Sequence, residues 1–134
     1  MRNGICAISL ACFVLWLPGC SLKPLDSGES SYGGIAGTYK AVEAAPFQQV
    51  LKASMEAMQS LQLRPMVHDS DAFKALIVGE SVFGKISQTH EIPVHIRNEG
   101  EAKTEIEMRI VGRRDEDRLR AIHAEIKKRL GTSG

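Results

Sequence analysis

Two alternating stretches joined by a short polar turn constrain this chain more than any other feature. "THEIPVHIR", residues 89–97, places Ile92, Val94 and Ile96 on one side and Glu91, Pro93, His95 and Arg97 on the other. "KTEIEMRIV", residues 103–111, does the same, with Thr104, Ile106, Met108 and Ile110 opposite Glu105, Glu107 and Arg109. Successive side chains of a strand point to opposite faces, so each run is a strand with one apolar face. "NEGE", residues 98–101, supplies the Asn and Gly of a hairpin turn between them. The outer face of the second run is charged, so the sheet has one side in water.

A sheet with one apolar face needs a cover, and two helical patterns provide it. Pro46 suits the start of a helix, and Phe47, Val50, Leu51, Ser54, Met58 and Leu61 recur at steps of three and four, a stripe over about 46–61. Met55 and Met58 are read as core packing, not as soft metal ligands. "RRDEDRLRAIHAEIKKRL", residues 113–130, has Leu119, Ile122, Ile126 and Leu130 as its stripe. Its acids stand first and its bases last, matching the helix dipole. The rest reads as strand. "TYKAV", residues 38–42, alternates; "LRPMV", residues 63–67, carries a Pro that confines it to an edge; "HDSDAF", residues 68–73, is a turn. "KALIVGESVF", residues 74–83, is β-rich but ambiguous in phase, because Leu76 and Val78 oppose Ile77 and Phe83. The expectation is an α+β two-layer sandwich in the order β-α-β-β-β-β-α. It has an antiparallel sheet of about four to five strands, with both helices packed on one face.

The first twenty residues give an address. After Arg2 comes an apolar run from Ile5 to Leu17, closed by "LPGC". A membrane-spanning helix needs about 20 apolar residues. A shorter run behind a single positive charge is the hydrophobic region of a secretory signal. Leu17, a small Gly19 and Cys20 resemble the lipobox of bacterial lipoproteins, although Pro18 departs from the usual choice at its position. That resemblance implies diacylglyceryl transfer to the Cys20 thiol, cleavage between Gly19 and Cys20, and acylation of the new amino group; more than one acyl chain holds a protein firmly on a membrane. Ser21, in place of an Asp, implies the periplasmic face of the outer membrane in a Gram-negative host. The organisation expected is a signal peptide over 1–19, a lipidated, Gly/Ser-rich tether over 20–37, and a globular periplasmic domain over 38–134. The GxxxG spacing of Gly33 and Gly37 is read as part of the tether.

Composition excludes several classes. Once residues 1–19 are removed, 16 basic side chains balance 16 acidic ones, which argues against nucleic-acid binding through bulk charge. All three cysteines, Cys6, Cys12 and Cys20, lie within the signal and its end, so neither a disulfide framework nor a cysteine zinc site belongs to the folded part. His90 and His95 fall on opposite faces of one strand, and "HDSD", with His68, Asp69 and Asp71, reads as an Asx-stabilised turn; no metal site or cofactor is expected. His123 reads as a boundary histidine beside the stripe of the last helix. Ser87, His90 and Glu91 are close in sequence but lack the framework of a nucleophilic site, and no catalytic residues are assigned.

The strands, the segment "GGIAGTYKAVEAAPFQQVLKASMEAMQSLQL" and the closing "DRLRAIHAEIKKRL" resemble the small envelope lipoproteins of the DUF3568-like class. The resemblance implies a lipobox, a Gly-rich linker and a compact α+β domain, and transfers no catalytic residue. Against that family pattern "VFGKISQTH" is a long connection. The function expected is therefore a lipid-anchored, non-enzymatic accessory or structural module of the cell envelope. It would be partnered by the membrane and by an envelope protein or peptidoglycan, and not by nucleic acid. The alternative is a binding module for an anionic envelope polymer or lipid. It would use Arg113, Arg114, Arg118, Arg120, Lys127, Lys128 and Arg129, against which the same segment sets only Asp115, Glu116, Asp117 and Glu125.

Overall fold

The computed structural model describes residues 24–81 and 91–131. Six strands form one antiparallel sheet: β1 (Ser30–Gly33), β2 (Thr38–Glu43), β3 (Leu63–Ser70), β4 (Lys74–Ser81), β5 (Glu91–Gly100) and β6 (Lys103–Met108). Their order across the sheet is β1-β2-β6-β5-β4-β3. Helix α1 (Phe47–Ser60) carries the chain from β2 to the far edge, β3 to β6 return as a meander, and α2 (Glu116–Leu130) closes the chain. The last strand thus inserts beside the second, pairing Tyr39 with Met108 and Ala41 with Ile106.

The alternation seen in the sequence decides which face is covered. Ile92, Val94 and Ile96 from β5 and Thr104, Ile106 and Met108 from β6 are buried, as are Ala75 and Ile77 from β4. Against them pack Phe47, Val50, Ala53, Ala57 and Met58 of α1 and Leu119, Ile122 and Ile126 of α2. Burying one such aliphatic side chain contributes about 1.5–3 kcal/mol. The opposite face is polar, crossed by Lys40–Glu107 at 3.3 Å and Arg97–Glu105 at 3.5 Å. The ambiguous run 74–83 resolves with Ile77 inward and Leu76 and Val78 half-buried on the open face; Phe83 lies outside the described residues.

The sheet has six strands where four to five were expected. The added strand, β1, lies inside the 20–37 stretch read as a tether: Ser30–Gly33 pairs with Thr38–Ala41. Ser and Gly are poor strand formers alone, but β2 offers an unpaired edge, and the glycines turn the hairpin. Gly34 and Gly37 both have positive φ, 78° and 66°. The turn expected at 68–73 is shorter, because β3 runs on through Ser70, with a register irregularity between Val67 and Asp69. The Asp71 carboxylate then accepts from the Phe73 and Lys74 N–H groups at 2.7 and 2.9 Å, the Asx arrangement foreseen for this segment. The β5–β6 connection shows a similar device: Asn98 Oδ1 accepts from Gly100 N–H at 3.0 Å where the register shifts.

The helices end as their sequences dictate. Pro46 is the residue flanking α1, not its first helical one. Asp115 caps α2 by accepting from the Arg118 N–H at 3.1 Å, and Gly131, left-handed at φ 72°, ends it. Thr104 donates from its hydroxyl to the Ala45 carbonyl at 2.8 Å and so ties β6 to the entry of α1.

Candidate functional site: a buried tyrosine–histidine–glutamate chain

Beneath α2, β2 presents two polar side chains to the core. In "TYKAVE" the period of two that buries Ala41 also turns Tyr39 and Glu43 inward. His123, one residue beyond Ile122 on the buried side of α2, descends between them. Its Nδ1 lies 2.7 Å from the Tyr39 hydroxyl, and its Nε2 bonds the Glu43 carboxylate. Tyr39, Glu43 and His123 are 2%, 2% and 6% exposed. The Tyr39 and His123 rings are tilted, with centroids 5.4 Å apart.

The donor inventory orders the protons. An ionised carboxylate only accepts, so Nε2 carries a hydrogen directed at Glu43. In the neutral ring Nδ1 then accepts from the Tyr39 O–H; in the imidazolium it donates to the Tyr39 oxygen. Either state satisfies all three groups. Polar groups at this depth are costly when unpaired, so the chain closes as a set. The sequence reading of His123 as a boundary residue is corrected: it is buried, with both nitrogens engaged. Its partners lie 84 and 80 residues away in the chain, so no local pattern on α2 announces them. The one signal in the sequence was Glu43, an acid in phase with Tyr39 and Ala41.

Above this chain lies a groove of about 380 Å³ lined by Gly28, Ser30, Arg120, Ala124 and Lys127, with Tyr39 and His123 at its floor. The Arg120 guanidinium stands 5.7 Å from the Tyr39 ring centroid. It also bonds Glu116 at 2.8 and 2.5 Å, and that carboxylate raises the pKa of Arg120.

The basic residues singled out in the sequence are spread along α2 and its approach, and several are already engaged. Arg113 bonds Asp115; Arg129 meets Glu125 at 3.3 Å and Glu56 at 3.6 Å; Arg114 stands over Tyr32 at 5.7 Å. Arg118 sits in the first turn of α2, and Lys127 and Lys128 lie in the last. His95 and Glu91 are exposed on β5, and His68 and Asp69 are exposed on β3. Cys20, Gly19, Ser87 and His90 lie outside the described residues. Among the described residues, no group of three or more His, Cys, Asp or Glu is placed to hold a metal ion.

A family model described as "Protein of unknown function (DUF3568)" matches residues 4–129. The chain belongs to this family. The matched span takes in the apolar run, "LPGC" and all three members of the buried chain. No curated protein matches the sequence.

Proposed function

We propose that this DUF3568 protein is a lipid-anchored, non-enzymatic accessory or structural module of the cell envelope, held on the periplasmic face of the outer membrane. The observation that carries the reading is "LPGC" closing a short apolar run that follows a single Arg. Among the described residues, no helix is long and apolar enough to cross a membrane; the attachment proposed is through acyl chains at Cys20. The non-enzymatic part is supported by the way the hydroxyl–imidazole–carboxylate chain is used among the described residues: Tyr39, His123 and Glu43 are almost wholly buried and their polar atoms bond one another. The buried chain acts instead as a brace between α2 and β2. The engagement of Arg113, Arg120 and Arg129 with acids favours this reading over recognition of an anionic polymer along α2.

Intact mass of the mature protein from a Gram-negative host tests the proposal. The expected product starts at Cys20 and carries acyl chains, while Cys20→Ala keeps its signal uncut. A mature product without acyl chains overturns it. Cross-linking in intact cells then identifies the envelope partner.

A further inference from the structure

One end of the sheet gathers exposed apolar side chains and basic ones. The β1–β2 hairpin turns there, and Ile35 at its tip is 99% exposed. β6 runs antiparallel to β2, so the loop that follows β6 comes up at the same end. Ile35 and Ala36 share a hollow of about 300 Å³ with Val111, Arg109, Arg113 and Arg114. Val111 is 46% exposed. The tip is held in place: a Cβ on Gly37 would lie 2.6 Å from the Tyr32 hydroxyl and 3.0 Å from Arg114 Cγ, and Arg114 stacks on the Tyr32 ring. Asp115 neutralises Arg113, and the exposed Glu91, whose carbonyl accepts from the Val111 N–H at 3.0 Å, is the acid set beside Arg109 and Arg114, so the bases remain in excess at this end. An isolated exposed aliphatic residue is ordinary. A fully exposed one on a braced hairpin, beside a second and flanked by arginines, has the composition of a surface that enters an anionic lipid interface.

We infer that this end of the sheet is a bilayer-contact surface: Ile35 and Val111 enter the headgroup boundary, and Arg109 and Arg114 meet lipid phosphates. The inference deepens the lipid-anchor reading and rests on it for the nearness of a membrane. Chain length makes the contact feasible. Gly28 is fixed by its N–H to the Val42 carbonyl at 2.7 Å, and Asp26 by its carbonyl, which accepts from the Glu29 N–H at 3.0 Å, so the six residues from Cys20 to Asp26 extend to about 21 Å. From Gly28 to Ile35 along β1 is about 20 Å. An anchor at Cys20 therefore lets the tip reach the bilayer that holds it.

The test uses the mature chain, residues 20–134, with Cys20→Ala so that no acyl group contributes. Its co-sedimentation is measured with vesicles of mixed phosphatidylglycerol and phosphatidylcholine, and with phosphatidylcholine alone. Binding is expected to the anionic vesicles, to fall at high salt, and to drop about tenfold in Ile35→Asp. Ile35 is exposed, so that variant keeps the parent's melting temperature. Phe73→Ser is the control, because Phe73 is 71% exposed at the opposite end, where its carbonyl accepts from Asn98; it should bind as the parent does. Equal binding to both vesicle types, no binding, or equal loss in Ile35→Asp and Phe73→Ser overturns the inference. None of these outcomes touches the anchor reading, which stands or falls on the acyl mass of the wild-type protein.

Discussion

His123 is the residue on which most depends. His123→Ala leaves the Glu43 carboxylate buried without its partner, a change that costs about 3–5 kcal/mol, a large share of the ~5–15 kcal/mol that holds a domain. Tyr39→Phe removes only the hydroxyl and leaves Nδ1 unpaired, about 1–3 kcal/mol. Urea midpoints should fall in that order, and pairing His123→Leu with Glu43→Leu should recover much of the loss, because replacing both partners removes the stranded charge. If His123→Ala and Tyr39→Phe unfold at the same urea concentration, the carboxylate is not the group that matters. Asp115 gives the pH dependence. The Arg118 N–H, above all, holds its carboxyl below the ordinary value of 3.8. A carboxyl lowered in the fold contributes stability above its unfolded pKa and loses it as pH falls through the folded value. Acid titration of the wild type should therefore show a loss below about pH 4 that is smaller in Asp115→Ala, which is itself less stable at neutral pH by about 1 kcal/mol. The cap was legible, since acids stand at the start of the α2 pattern. The brace was not: its bonds join residues whose neighbours in sequence carry no trace of one another.

At the scale of elements, the clean alternation of β5 and β6 and the stripes of both helices were readable because each buries one face against a single layer. Ile106, fully buried, tests that phase. Ile106→Asp places an unpaired charge in the core and should abolish the cooperative transition. Glu107→Ala, one residue on, loses only the surface contact with Lys40 and should shift the midpoint little. Equal tolerance at the two positions would mean the strand is turned over. β1 escaped the sequence reading because its partner supplies its stability: "SSYG" has little strand preference and is ordered by the edge of β2. In sequence Gly37 is half of a GxxxG spacing in the tether, yet its backbone is left-handed. Gly37→Val should loosen the hairpin tip, lowering amide protection of Tyr32 and Tyr39 before that of β5.

For the whole molecule, the boundary of the domain moves. A domain starting at residue 38 would lack β1 and leave β2 as a bare edge; one starting at 24 keeps every described element. The fragment 38–134 should melt below 24–134 and associate at lower concentration, because an unpaired edge invites another strand. Size-exclusion chromatography across a dilution series reads the difference, and identical behaviour would mean β1 contributes nothing. The fold class was legible because one-faced strands and amphipathic helices admit few arrangements. The strand order was not, since nothing local says that the last strand inserts beside the second.

That insertion has a consequence for how the chain acquires its shape. The β2–β6 ladder joins Tyr39 to Met108, and the brace joins β2 to His123, so β2 has only its hairpin partner β1 beside it in the sheet until the final third of the chain exists. Closing such distant contacts is slow compared with local ones. A polypeptide emerging amino end first can therefore form the β1–β2 hairpin, α1 and the β3–β4 hairpin early, while the inner edge of β2 stays unpaired. The sheet closes only when the last strand pairs with β2, and the brace locks only when the last helix arrives.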